Sequence, residues 1–183
     1  TFYLELIGTI TATPGISRGP YLQIATPQSM VLRWRTDAIS DSKVMIGSSP
    51  GTYTTSFEDT IQTTEHIVHV TGLTPDTKYY YSIGTTTSIL QGDEENYFIT
   101  SPPSNSEQKI RLWATGDFGI GTNSASQVRS AFYNYVDTNY TNGWLWLGDN
   151  AYNSGTDIEY STKVFNYRYE HILKKTCVWS APG

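Results

Sequence analysis

The sequence predicts an all-β sandwich followed by the first part of an α/β domain with a parallel sheet. Three observations predict this. Residues from about Arg18 to Thr100 read as short strands cut by turn signals, with no competing helical period. A Pro/Ser-rich connector, "SPPSNSEQK" from Ser101 to Lys109, then breaks the pattern. Beyond it the order becomes strand, helix, strand, helix, strand, with continuous apolar strands of the kind a parallel sheet buries.

In the first half, "SMVLRWRT" alternates, with Met30, Leu32 and Trp34 on one side and Val31, Arg33 and Arg35 on the other. "SKVMIGSS" follows as a separate strand and is broken at Pro50 and Gly51. "EHIVHVTGL", "KYYYSIGT" and "ENYFIT" complete the series at sandwich spacing. Leu73, Pro75, Thr77 and Tyr79 occur in the order that builds a tyrosine corner, whose phenol caps a backbone group while its ring packs inward.

In the second half, "IRLWATGD" is a strand ending in Gly116 and Asp117. "NSASQVRSAFYNYVDTN" reads as a helix capped by Asn123 or Ser124, with Val128, Ala131, Phe132 and Tyr135 on one stripe. "GWLWLGD" is a second buried strand; Trp144 and Trp146 share one face and Leu145 and Leu147 the other, so core is expected on both sides. "IEYSTKVFNYRYEHILKK" is read as one further helix, and "TCVWSAPG" starts a third strand.

With 183 residues, 38% hydrophobic and 14% aromatic, the chain can bury a sizeable core and is expected to form two domains. A net charge of −5 from only 16% charged residues lacks the basic footprint of a nucleic-acid or anionic-membrane binder, so neither partner is expected. No apolar run approaches the roughly 20 residues that cross a bilayer. The opening "TFYLELIGTITATPG" lacks a basic lead-in and carries Glu5, which reads as a linker or the trailing part of something removed. The single Cys177 excludes an internal disulfide and any multi-cysteine metal site. Its 14 tyrosines and abundant Thr, Ser and Asn fit a secreted or surface protein.

The chemistry concentrates where two strands end. Asp117 and Asp149 each follow a glycine at the carboxyl end of a strand, the edge where ligands gather in open parallel sheets. If those strands are neighbours, about 4.8 Å apart, the carboxylates converge and repel, so one is protonated or a cation lies between them. "GDFGIG" lacks the lysine of a P-loop, and its aspartate would repel a phosphate unless a metal intervened. Aspartate oxygens suit a hard ion, and two such ligands at one place suit a two-metal site. Tyr152 follows Asp149 by three residues. Taken alone, either Gly-Asp pair would read as a turn.

Other reactive residues have plainer readings. His66 and His69 fall on opposite strand faces and read as exposed polar residues. His171 reads as a solvated helix residue, Cys177 as a small buried one, and Tyr133, Tyr135, Tyr167 and Tyr169 as packing. Asn150 is a turn former by default, with a phosphate contact as the alternative.

Trp34 on an early strand and the Tyr79 corner together resemble a fibronectin type III domain, with Asp76 where that family usually has glycine, a departure a type I turn would tolerate. "GDFG" at Gly116 to Gly119, "GDNAY" at Gly148 to Tyr152 and the terminal "SAPG" resemble the metal motifs of the calcineurin-like metallophosphoesterases. Tyr152, the fibronectin-like preface and "RGPYLQ" from Arg18 to Gln23 narrow the resemblance to the purple acid phosphatases. The resemblance implies an extension over 1–17, a fibronectin-like domain over 18–103 and the opening of a metallophosphoesterase domain over 109–183. It implies a hydrolase for small phosphate monoesters with a dinuclear Fe(III)–M(II) centre, M being Zn, Fe or Mn. Asp117 would bind the ferric ion, Asp149 bridge both ions, and Tyr152 bind iron as a phenolate whose charge transfer gives the family its colour. The family's catalytic histidines would lie beyond Gly183, so the chain is expected to be an N-terminal fragment inactive alone. Phosphodiesterase or nucleotidase chemistry on this scaffold is disfavoured by Tyr152. An adhesion or carbohydrate-binding module with a degenerate phosphoesterase remnant remains the alternative.

Overall fold

Alternating apolar residues make the first half of the chain strand, and they do so over longer stretches than its turn signals suggest. The computed structural model describes residues 12–165 and 168–183, so the greater part of the expected extension lies outside the described residues, as does Tyr167. Six strands come first: β1 (Ile16–Gln23), β2 (Ser29–Gly47), β3 (Thr55–Thr71), β4 (Lys78–Gly84), β5 (Ile89–Gln91) and β6 (Tyr97–Ile99). They pair antiparallel with one another, β2 with β1, β3 and β4, and β4 with β5 and β6. The two strands expected over residues 29 to 49 are one. No glycine or proline separates Thr36 from Ser42, so the chain kinks through register shifts between Arg35 and Ser42 and keeps its pairing to β3.

The sandwich core forms around Trp34, with Leu22, Leu32, Val44, Tyr81 and Phe98 buried about it. His66 corrects its sequence reading. It is fully buried, stacks on Trp34 at 4.7 Å and 10°, and binds Thr36 Oγ1 through Nε2 and Ser42 Oγ through Nδ1, each at 2.8 Å. Both ring nitrogens being paired, the imidazole is a satisfied core group. His69 faces solvent on the opposite side. The Tyr79 hydroxyl accepts from the Thr74 amide at 3.0 Å, closing the corner. Asp76 has φ 49°, so it adopts the left-handed conformation glycine would take there and not that of a type I turn.

The second half contributes three parallel strands, β7 (Leu112–Thr115), β8 (Gly143–Trp146) and β9 (Cys177–Ser180), in spatial order β7-β8-β9. Helix α1 (Asn123–Val136) is capped by Thr122, not by the expected Asn123 or Ser124. Its inward side is Arg129, Phe132, Tyr133 and Val136, while Val128, Ala131 and Tyr135 are exposed. Phe132 fixes that phase by stacking on Trp113 at 4.1 Å, and Trp113 in turn stacks on Trp144 at 4.7 Å. The second expected helix is broken into α2 (Asp157–Tyr160), a π-helical turn (Ser161–Phe165) and α3 (Glu170–Leu173). Cys177 is buried, as expected, and burial pushes its thiol up to about 11. Core on both sheet faces is not found: Trp144 and Trp146 are covered, whereas Leu112, Leu147 and Trp179 on the other face are exposed. The helices all pack against the tryptophan side. Among the described residues, no helix is long and apolar enough to cross a membrane.

The halves share one sheet. β1 pairs parallel with β9, Leu22 opposite Cys177 and Gln23 opposite Val178, so the sandwich edge becomes the edge of the parallel layer. Buried phenols reinforce the seam. Tyr81 Oη donates to the Lys174 carbonyl at 2.7 Å, and Tyr140 Oη donates to the Lys175 carbonyl at 2.7 Å while accepting from the Ile99 amide at 3.1 Å.

Tyr81→Phe leaves the Lys174 carbonyl unpaired in a buried place, with an expected loss of about 1–2 kcal/mol in urea denaturation. Burial pushes the His66 pKa below 6.5, against the pull of Glu65 and Asp41. The unfolded chain therefore binds more protons, and stability falls as pH drops through that value. Thermal melts are expected to fall from about pH 7 to about pH 5, and His66→Gln is expected to flatten that decline relative to its own value at neutral pH.

Candidate metal centre

Because β7 and β8 are adjacent, parallel and in register from Leu112↔Gly143 to Thr115↔Trp146, they end side by side. The pairing continues beyond the strands. The Leu147 amide donates to the Thr115 carbonyl at 2.9 Å, Asp117 to Gly148 at 3.2 Å, and Tyr152 to Gly119 at 3.2 Å. Asp117 and Asp149 then take the same left-handed turn, φ 57° and 50°, which aspartate tolerates better than most residues. Gly119 permits the close approach: a β-carbon there would lie 1.8 Å from the Asn150 carbonyl oxygen.

These constraints bring all three expected site residues together. Tyr152 Oη donates to Asp117 Oδ1 in a short contact and lies 3.1 Å from Asp149 Oδ2. One phenolic proton therefore serves two carboxylates. The hydrogen bond to Asp117 raises the Tyr152 pKa, with desolvation and Asp149 acting in the same direction, so without a cation the phenol stays protonated. The third strand reaches the same edge. The Ala181 amide donates to the Trp146 carbonyl at 2.9 Å, and a β-carbon on Gly183 would fall 2.0 Å from Asp149 Oδ1. Asn150 is turned inward, its Nδ2 donating to the Ala181 carbonyl at 2.7 Å, and is not free for a phosphate. A cleft of about 250 Å³ lies beside the cluster, lined by Asp149, Tyr152, Tyr160 and Gly183 among others.

The donor chemistry fits a hard cation: two carboxylates and a phenol at one point, all oxygen. Among the described residues no group of three or more His, Cys, Asp or Glu side chains gathers for a metal, so these three side chains are a partial donor set. His171 sits elsewhere, 3.4 Å from Glu95, and His66 lies in the sandwich core. Sequence reading overlooked Glu159 and Lys163, which hold the loop carrying Tyr152. Part of that signal was present, since Thr156 and Glu159 have the spacing of a capping box.

Architecture and site define a β-sandwich joined through a continuous sheet to a parallel layer with an acidic, oxygen-rich carboxyl edge. Residues 18–106 match the family model described as "Purple acid Phosphatase, N-terminal domain". Among solved structures, purple acid phosphatase PPD1 from yellow lupin (Lupinus luteus) seeds aligns with TM-score 0.71 and 16% identity, covering 90% of this chain and 34% of that one. PhoD aligns with TM-score 0.65 and 13% identity, covering 96% of this chain and 40% of that one. At such identities the likeness is one of fold, and the chain spans between 34% and 40% of those proteins' lengths. No curated protein matches the chain.

Gly119→Ala is expected to force the two loops apart and cost about 1–3 kcal/mol in chemical denaturation. Gly116→Ala is its control, because a β-carbon there meets nothing closer than 3.7 Å and should be tolerated.

Proposed function

We propose that Asp117, Asp149 and Tyr152 hold the ferric side of a dinuclear Fe(III)–M(II) centre, in an acid phosphatase hydrolysing phosphate monoesters. The observation that carries this reading is the phenol of Tyr152 set between the carboxylates of two adjacent strand ends. The purple acid phosphatase N-terminal domain over residues 18–106 supports it. So does the resemblance of "GDFG" and "GDNAY" to that family's metal motifs. The sandwich over 18–103 would serve as the platform, and 109–183 as the opening of the metallophosphoesterase domain.

When bound, the ions supply Lewis-acid polarisation of the ester's phosphoryl oxygens. The work of this chain's residues is electrostatic. Asp117 and Asp149 bring negative charge to one point, and Tyr152 would give up its phenolic proton to a bound cation, so metal uptake would release a proton. Zn, Fe or Mn would serve as the divalent partner. Three side chains are too few for two ions, so the 183-residue chain is expected to take up iron without efficient turnover. Secretion and a small phosphate-ester substrate complete the reading.

Titration of the chain with Fe(III) citrate is expected to produce a visible phenolate-to-iron band that Tyr152→Phe removes, with Asp117→Asn weakening uptake at least about tenfold. A band that survives Tyr152→Phe, or no band in the parent chain, overturns the assignment.

A further inference from the structure

We propose that Glu159 and Lys163 are positioning residues that fix the loop from Tyr152 to Thr156 and so set the Tyr152 phenol against Asp117 and Asp149. The loop has little intrinsic order to rely on. Asn153, Ser154, Gly155 and Thr156 are all exposed, and Gly155 sits at φ 64°. Its own backbone contributes the bond from the Gly155 amide to the Ala151 carbonyl at 3.0 Å.

Much of the remaining support comes from one carboxylate. Glu159 Oε2 accepts from the Ser154 amide at 3.1 Å, the Thr156 amide at 3.0 Å and Thr156 Oγ1 at 3.0 Å. Donors on an ionised oxygen make bonds stronger than neutral pairs. A capping box accounts for the Thr156 contacts and not for Ser154, which lies two residues further back toward Tyr152. Lys163 adds the direct link. From the π-helical turn, a feature frequent at functional sites, its Nζ donates to the Tyr152 carbonyl in a short contact and pairs with Glu159 Oε1 at 3.4 Å. Its stem also lies beside the Asp117 loop, where a β-carbon on Gly121 would fall 3.2 Å from Lys163 Cγ. Lys163 thus bonds to the Tyr152 loop and lies beside the Asp117 loop. Glu159 and Lys163 bond to loop backbone, to the Thr156 hydroxyl and to each other, not to the phenol, so they act through Tyr152 and are not catalytic residues.

The test uses the 183-residue chain with tyrosine labelled at Cζ by ¹³C. The Tyr152 resonance is assigned by its disappearance in Tyr152→Phe. In the metal-free chain, Lys163→Met and Glu159→Ala are expected to move that resonance toward the position of a solvated tyrosine, and Lys163→Arg to return it, with far-UV circular dichroism unchanged. A second arm rests on the phosphatase reading: Lys163→Met should weaken Fe(III) uptake by about tenfold or more, and Lys163→Arg should restore it. A Tyr152 resonance unmoved in Lys163→Met overturns the inference. A resonance that moves while the parent chain takes up no iron upholds the positioning role and overturns the metal reading. Should Glu159→Ala fail to fold, the Met and Arg variants at Lys163 decide the matter.

Discussion

A single phenolic proton between two carboxylates is what reconciles the ends of β7 and β8. Parallel pairing places Asp117 and Asp149 side by side, and their backbones are locked there by amide–carbonyl bonds running past the strand ends. Two unit charges about 4 Å apart repel by about 1 kcal/mol even in bulk water, and by more where solvent is displaced. The Tyr152 hydroxyl relieves part of that repulsion, and a cation would relieve more of it. The local fold and the local charge therefore pull in opposite directions until something positive arrives.

The sandwich contributes to this site although none of its side chains reaches it. Arg18 and Arg35 both bind Asp157, the first residue of α2, at 2.8 and 2.7 Å, and hold its carboxyl down at about 2, Arg35 first. An exposed ion pair contributes at most about 1 kcal/mol. Arg18 is different, being only 8% exposed, so removing Asp157 would strand a buried charge. From Asp157 the connection runs two residues to Glu159, and from Glu159 to the Ser154 amide. With β1 paired to β9 on the other flank, the sandwich braces the parallel layer at its sheet edge and at the start of the loop-bearing helix.

What the sequence revealed depended on whether local pattern or tertiary packing decided the outcome. Most of the strands, the Trp34 core and the Tyr79 corner were legible because alternation and turn residues specify them locally. The phase of α1 was not, because Phe132 docks on Trp113, a partner no periodicity within the helix can reveal. The broken second helix was hidden for a similar reason, its apolar period continuing across the π-helical turn. His66 was misread because polarity suggested solvent, whereas Thr36 and Ser42 on a neighbouring strand satisfy both of its nitrogens. The leucine face looked like core because apolar strands imply burial, yet Leu112, Leu147 and Trp179 on it are exposed.

The meeting of Asp117, Asp149 and Tyr152 was legible because two constraints coincide on the same letters. A left-handed residue after a strand calls for Gly, Asn or Asp, so backbone geometry alone narrows positions 117 and 149. Asparagine would satisfy that geometry equally well and would spare the chain any repulsion between neighbouring carboxylates. Aspartate at both positions, with a tyrosine hydroxyl brought to each of them, is thus more charge than the turns require. On the proposed metal reading, that excess prepares the edge for a cation. The scaffold around it follows the same logic, since Glu159 and Lys163 hold a loop that has no structural need to bring a phenol to that edge.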